Sequence, residues 1–274
     1  MLTAEELDVF ERDGIVKIPS AFSADEAAGM RDVLWRELSE RHGMERDDRT
    51  TWTVLRPTGL KTTKFDRRAQ AILGPRVRSA LDGLLGEWLE PKNQGQVLVT
   101  MPEGVPWAVP HRQWHTDAGF DQGPVGAVKI WAFYDSVGPG GGGTPQVAGS
   151  HRVFERFLTT TEERDFKEVR DQLLRSDPWF RNLTSAPPER TIDPMEPAEV
   201  DGLPVRVVEL TGEPGDVYLT HPWILHSIAP NAADVPRMMR SRFIWAVPDQ
   251  TRALTSRSHR TGSSVSPAPS PHNQ

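Results

Sequence analysis

The sequence predicts an α+β chain, mainly β, in which helices come first and a sandwich or barrel of short strands follows. Three observations carry this prediction. Thr3-Ala4-Glu5-Glu6 and Ser23-Ala24-Asp25-Glu26 both have the capping-box form, and each opens a stripe of apolar residues at helical spacing. After Pro91 the chain changes to short runs rich in Val, Ile, Trp, Phe and Tyr, separated by Gly and Pro. Finally, 274 residues with 37% apolar and 26% charged side chains are enough for one large domain, which buries roughly three quarters of its unfolded surface.

Taken in order, the first helix begins after Thr3, places Leu7 and Phe10 on one face, and stops at Gly14. Ile15, Val16 and Ile18 form a short strand ended by Pro19. The second helix runs from Ser23 to Gly43 with Ala27, Met30, Leu34 and Leu38 inward, and a third starts at Pro75 with Val77, Leu81 and Leu84 inward. Strands are predicted over Gln96–Thr100, Val128–Tyr134, Val205–Leu210, Asp216–Thr220 and Arg237–Val247. The polar, Pro-punctuated segment 152–204 contains one helical stripe, Phe166, Val169 and Leu173, and reads as an insertion between strands, a lid or a surface excursion. Residues 1–252 make a single domain, and 253–274, almost without apolar side chains, a disordered tail.

Composition excludes several chemistries. With no cysteine there are no disulfides, cysteine–zinc sites, iron–sulfur clusters or thiol nucleophiles. A net charge of -6 carries no nucleic-acid footprint. No run of 18 apolar residues and no apolar N-terminal leader region is present. The expectation is a soluble cytoplasmic protein without nucleic-acid or membrane partners. Oligomeric state is left open. Gly138-Pro139-Gly140-Gly141-Gly142-Gly143-Thr144 lacks the Lys and strand–helix context of a phosphate loop and reads as a flexible turn between strands. There is no Gly-x-Ser-x-Gly nucleophile elbow.

Three groups can carry chemistry. In His115-Thr116-Asp117, imidazole and carboxylate share one face of an extended chain, and two histidines with one carboxylate form the facial triad of non-haem Fe(II) oxygenases. His226 offers the third ligand and His221, five residues earlier, competes for the role. His111 and His115 have the spacing of a helical zinc pair, but Arg112 stands where the catalytic Glu belongs and Pro110 and Gly119 oppose a helix. Alternation places Arg237, Met239, Ser241, Phe243 and Trp245 on one strand face, with Met238, Arg240, Arg242 and Ile244 on the other. An arginine on the more apolar face calls for an anion, a salt-bridging carboxylate or a bound one.

In their order, the Leu2–Gly14 helix-to-strand start, His115-x-Asp117, Gly149-Ser150-His151, Gly215-Asp216 and His226 with Asn231 and Arg237 resemble the phytanoyl-CoA dioxygenase family, over about Leu2 to Pro248. The resemblance implies a double-stranded β-helix, a jelly-roll or cupin-like core with flanking N-terminal helices. It implies an Fe(II)- and 2-oxoglutarate-dependent dioxygenase, with O2 as the second cosubstrate. Such an enzyme is expected to hydroxylate or otherwise oxidise an unactivated carbon of a small molecule, in the manner of secondary-metabolite tailoring, as 2-oxoglutarate is decarboxylated to succinate and CO2. Carried over residue by residue, His115, Asp117 and His226 hold the metal, Arg237 clamps the distal carboxylate of 2-oxoglutarate, and Trp131 lies near that cosubstrate. The family's Pro in the turn before Gly149 is Ala148 here, and Asp117 favours oxidation over the halogenation of relatives that lack the carboxylate. Trp107, Trp114, Phe120 and Trp223 are candidate pocket walls, each with plain core as the competing assignment. Lys61 and Lys64 are candidates to meet an anionic substrate or to be solvated. Two other readings are a non-catalytic barrel that binds a ligand, and a cupin-type metal hydrolase or isomerase.

Overall fold

The computed structural model describes residues 1–61, 63, 66–119 and 126–248. Phe120, Lys64 and the predicted tail 253–274 lie outside the described residues. The order is α1 (Ala4–Asp13), β1 (Ile15–Ile18), α2 (Ala24–His42), α3 (Pro75–Leu85), β2 (Gln96–Thr100), β3 (Ala127–Phe133), β4 (Pro145–Ala148), α4 (Ser150–Leu158), α5 (Phe166–Ser176), α6 (Pro178–Thr184), β5 (Ala198–Val200), β6 (Leu203–Glu209), β7 (Val217–Thr220) and β8 (Arg237–Trp245). Both capping boxes close as predicted. The Thr3 hydroxyl accepts from Glu6 N while Glu6 returns to Thr3 N, and Ser23 and Glu26 do the same.

All strand pairing is antiparallel. One sheet has the order β1-β7-β3-β8-β2 and the other β4-β6-β5. Isolated bridges extend the smaller sheet, because His226 pairs with Gln146 of β4 on one side and with His115 on the other. Alternation divides the side chains of the larger sheet. Val128, Ile130, Met238 and Ile244 pack outward onto α2 and α3 in the largest core. Trp131, Phe133 and Met239 pack inward with Ala148 and Leu210 of the smaller sheet. The smaller sheet's outer face, Val147, Val205 and Val207, is covered by Phe154, Val169, Leu173, Phe180 and Leu183 of α4–α6. Four layers result, helix–sheet–sheet–helix, with the candidate residues between the two sheets.

Segment 152–204 is thus a packed helical layer with its own buried core. Two of its helices and two strands escape the sequence pattern for physical reasons. α4 follows a glycine N-cap that offers no side-chain cap, and α6 has only seven residues, although Asp177 caps it and Pro178 opens it. β4 is four residues long, begins with Pro and is buried on both faces, so it has no alternation to read. β5 is three residues long. The glycine-rich turn is a second correction. Its amides Gly140 N and Gly143 N donate to the Glu209 carboxylate at 2.8 and 3.0 Å, and Gly141 bridges Asn231, so the turn is tied down.

Gly215-Asp216 joins β1 to the rest of the sheet. Asp216 accepts from Ser20 N at 2.9 Å and from Glu213 N at 3.0 Å, and pairs with Lys17 at 2.8 Å. Gly215 has φ +97°, and an added Cβ would fall 2.1 Å from the Phe22 carbonyl oxygen. Gly215→Ala therefore meets both a backbone conformation forbidden to it and a clash with main chain. Urea unfolding is expected to show a loss of about 2 kcal/mol or more, and an unchanged midpoint would contradict this packing.

Candidate metal centre

His115 and His226 are adjacent in space because their backbones form a complete antiparallel pair. His115 N donates to His226 O and His226 N to His115 O, both at 2.9 Å. The imidazole centroids are 4.3 Å apart. Two residues on, Asp117 brings its carboxylate to the same point, so that ligating atoms of His115, Asp117 and His226 all lie within 4.8 Å of one another. Gln113, just before, has a left-handed φ of 62°, and its carbonyl sits 2.8 Å from His115 Nδ1. His226 Nδ1 is likewise 2.9 Å from the Ile224 carbonyl.

These two carbonyls determine the tautomers. A carbonyl only accepts, so each Nδ1 carries the proton and each Nε2 keeps its lone pair free. His226 Nε2 then faces Asp117 Oδ2 at 3.1 Å. Burial pushes the His226 ring below its ordinary pKa, against the pull of Asp117, so it is neutral at neutral pH. Two lone pairs at that distance repel unless a cation lies between them. Imidazole, imidazole and carboxylate on one side of a shared point suit a first-row divalent metal and leave the opposite positions open. The donor set therefore fits Fe(II).

Lys129 of β3 is the neighbour that sequence reasoning missed. It is 8% exposed, its ammonium contacts Asp117 Oδ2, and it lies 4.0 Å from the Trp131 ring centroid. Burial raises the Asp117 carboxyl, but its close polar neighbours, the Lys129 ammonium among them, outweigh that and hold it below the usual carboxylate range. Burial lowers the Lys129 ammonium, with Asp117 opposing. A signal was present, since Lys129 interrupts the apolar run Ala127–Phe133 on the same face as Trp131.

Arg237 lies in the same cavity, of about 370 Å³, as the three ligands. Its Nη1 donates to Thr144 Oγ1 at 3.2 Å and its Nη2 to Thr100 Oγ1, while Nε has no partner among the described residues. No carboxylate among the described residues forms a salt bridge with it. Glu209, the nearest influence of opposite sign, is engaged by the glycine turn. Burial pushes this guanidinium down to about 10, with Arg56 adding repulsion. A buried cation held by hydroxyls and without a counter-anion is a receptor for a carboxylate. Gln146, fully buried on the same face as Thr144, also has both amide atoms unpartnered among the described residues. Thr100 and Thr144 are far from Arg237 in sequence, and only strand register brings them to it.

The other expectations separate cleanly. Trp131 lies in the cavity wall, edge-on to His226 at 5.4 Å, with its indole N–H on Thr220 Oγ1 at 2.9 Å. His221 is excluded from the centre. Its ring lies 4.9 Å from that of His151, tilted to it, and its Nδ1 accepts from Trp223 N. Arg240 turns to the opposite face, bonding the Thr63 and Gln94 carbonyls, and Arg242 bonds the Gln94 side chain. Trp114 and Trp223 pack in the core beneath α4–α6 and Trp107 against it, so of the two assignments plain core holds. Lys61 lines a second cavity that shares Asp117 and Lys129 with the first.

A model of the phytanoyl-CoA dioxygenase family matches residues 10–239. No curated protein sequence matches the chain. Among solved structures, the carbocyclase SnoK, non-haem and α-ketoglutarate-dependent, from nogalamycin biosynthesis, is similar with TM-score 0.58 at 19% identity, covering 89% of this chain and 84% of that one. HygX from Streptomyces hygroscopicus with nickel and 2-oxoglutarate bound gives TM-score 0.56 at 15% identity, covering 90% and 88%. The epimerase SnoN in complex with Fe3+, α-ketoglutarate and nogalamycin RO gives 0.54 at 18%, covering 98% and 95%. These likenesses establish the double-stranded β-helix fold. No helix among the described residues is long and apolar enough to cross a membrane.

Two outcomes are expected. In Co(II) titrations followed by visible absorption, His226→Ala weakens binding by about 100-fold or more, beyond what loss of a neighbouring support does, and His221→Gln leaves it near wild type. Equal losses would reopen the choice of histidine. The second concerns His151, which burial pushes from 6.5 down to about 4. Between those values the unfolded chain binds a proton that the folded chain refuses. This contribution to stability is therefore complete above pH 6.5 and lost on going down to pH 4. Urea midpoints are expected to fall across that window, less steeply in His151→Asn, and equal slopes would contradict the assignment.

Proposed function

The chain belongs to the phytanoyl-CoA dioxygenase family of iron- and 2-oxoglutarate-dependent oxygenases, and from that premise we propose that it hydroxylates an unactivated carbon of a small molecule at the His115–Asp117–His226 centre. Arg237 receives the distal carboxylate of 2-oxoglutarate. The observation that carries this reading is the coincidence, in one cavity, of three converging metal donors and a buried arginine without a counter-anion. A ligand-binding barrel without turnover has no use for both, and a cupin-type hydrolase has no use for Arg237.

Fe(II), when bound, supplies activation of O2 coupled to decarboxylation of 2-oxoglutarate to succinate and CO2. The chain supplies position and exclusion of water. The Gln113 and Ile224 carbonyls hold the imidazoles with Nε2 forward. Asp117 stays ionised and adds the negative charge that a divalent cation needs. Thr100 and Thr144 orient the guanidinium fork. Trp131, Leu98 and Ile228 line the cavity with apolar surface, which strengthens the charge contacts there. No side chain has to move a proton. Solved proteins of this fold hold natural products, nogalamycin RO in SnoN and hygromycin B in HygX, which supports tailoring of a secondary metabolite by this chain.

The test is an anaerobic titration of the Fe(II)-loaded protein with 2-oxoglutarate, followed by the weak visible charge-transfer band of the chelate. The band is expected in wild type and absent in Asp117→Ala. In Arg237→Ala it requires about 10- to 100-fold more 2-oxoglutarate, the value of a hydrogen-bonded charge pair. Iron binding without any band would overturn the cosubstrate assignment, and an unchanged requirement in Arg237→Ala would overturn the clamp.

A further inference from the structure

The inner face of β8 is a ruler across the site. Arg237, Met239, Ser241, Phe243 and Trp245 follow one another on it at alternate positions, about 6.6 Å per step. Arg237 lies at the 2-oxoglutarate end, and Ser241 pairs with Trp131 beside the metal donors. Phe243 pairs with Lys129, and Trp245 with Ala127, at the opposite end. The first cavity covers the span from Arg237 to Ser241, and the second, about 690 Å³, the span from Ser241 to Trp245. Asp117 and Lys129 line both. The two cavities therefore take opposite ends of one strand.

Two features of the second cavity define chemistry. The first is charge. Lys61, Lys92 and Lys129 line it, while Asp117, a metal donor, is its one carboxylate among the described residues, in a chain whose net charge is -6. A cation excess concentrated in a concave wall attracts anions. The second is a flat apolar platform. Phe243 and Trp245 stack with centroids 5.4 Å apart and an interplanar angle of 29°, Trp245 is 46% exposed, and the Lys129 ammonium lies 5.6 Å from the Phe243 centroid. An exposed tryptophan next to a buried lysine presents a surface for a ring and a charge for an oxyanion.

Resting on the function proposed above, we propose that the substrate is a flat, ring-containing small molecule bearing a carboxylate or phosphate. The ring lies on Phe243 and Trp245, and the anion is drawn by Lys61 and Lys129. Lys129 stands between this anion and Asp117, so the reacting carbon is held close to the group that it shares with the metal.

The test uses protein loaded with Fe(II) and 2-oxoglutarate without oxygen, and calorimetric titration with four probes: 2-naphthoate, 2-naphthyl phosphate, neutral 2-naphthamide and cyclohexanecarboxylate. The charge-transfer band is recorded throughout. One or both naphthyl anions are expected to bind at least about 10-fold more tightly than the amide and than the non-aromatic acid, each gap the size of one charged or stacking contact. Whichever anion is tighter distinguishes carboxylate from phosphate. Trp245→Ala and Lys61→Ala, both at exposed positions, are each expected to weaken that binding by a similar factor while the band still forms. Equal affinity for acid and amide, or undiminished binding in both variants with the band intact, overturns the substrate class and leaves the function standing. Loss of the band as naphthoate is added places the probe in the Arg237 end and also overturns the assignment. A band that never forms defeats the function itself, and this inference with it.

Discussion

Two backbone hydrogen bonds, His115 N to His226 O and His226 N to His115 O, tie the segment before β3 to the connection between β7 and β8. Most of the site depends on this pair. It brings together residues 111 positions apart in sequence, and the pleat then places Asp117 on the same face as His115. The neighbouring segment is held from the other side by β4, where Val147 N donates to Leu225 O at 2.8 Å and Ser227 N to Pro145 O at 3.1 Å. Ser150 adds a staple, accepting from Leu225 N at 2.9 Å while donating to Val147 O. The metal donors are thus fixed by sheet hydrogen bonding on both flanks. Their rings are fixed by the two carbonyls on Nδ1, and the exact aim does not rely on a mobile loop.

The interior between the sheets is unusually polar for a sandwich core. Arg237, Lys129, Gln146 and His226 are all under 9% exposed there. Burying such groups opposes folding unless partners compensate, and several of their donors have no partner among the described residues. The outer faces carry the opposite character, since the α2–α3 side and the α4–α6 side are continuous apolar cores. Stability is concentrated in the two outer layers, and the middle layer is left for chemistry. Asn231 links the two demands. Its amide donates to the Thr100 and Val235 carbonyls, and thereby fixes the strand end that presents Thr100 to Arg237.

Much of this was legible in the sequence because it is local. The capping boxes, the Pro75 helix start, the long strands and the two-faced alternation of β8 all depend on neighbours within a few residues. His115 and Asp117 are visible as i and i+2, and Arg237 as a charge on an apolar face. What was illegible depends on register between distant strands. The hydroxyl cradle of Arg237 comes from Thr100, 137 residues away, and Thr144, 93 residues away. His226 and His221 are indistinguishable by residue type, and only the family resemblance preferred the first. The bridge to His115 sets His226 beside it, while His221 lies against His151. The tryptophans near the motif in sequence proved to be core, because Trp107, Trp114 and Trp223 face the helical layer. Phe243 and Trp245, over 120 residues from His115, reach the cavity instead.

The central claim is that one preset set of donors receives the metal while Arg237 receives the cosubstrate. A crystal structure of the protein grown without oxygen with Fe(II) and 2-oxoglutarate tests it directly. The account predicts iron within about 2.0–2.3 Å of His115 Nε2, His226 Nε2 and an Asp117 oxygen, with the pair of backbone bonds unchanged. It also predicts the distal carboxylate in two hydrogen bonds with the Arg237 fork. Iron on His221 or His111, or a 2-oxoglutarate whose distal carboxylate is held away from Arg237, would contradict it.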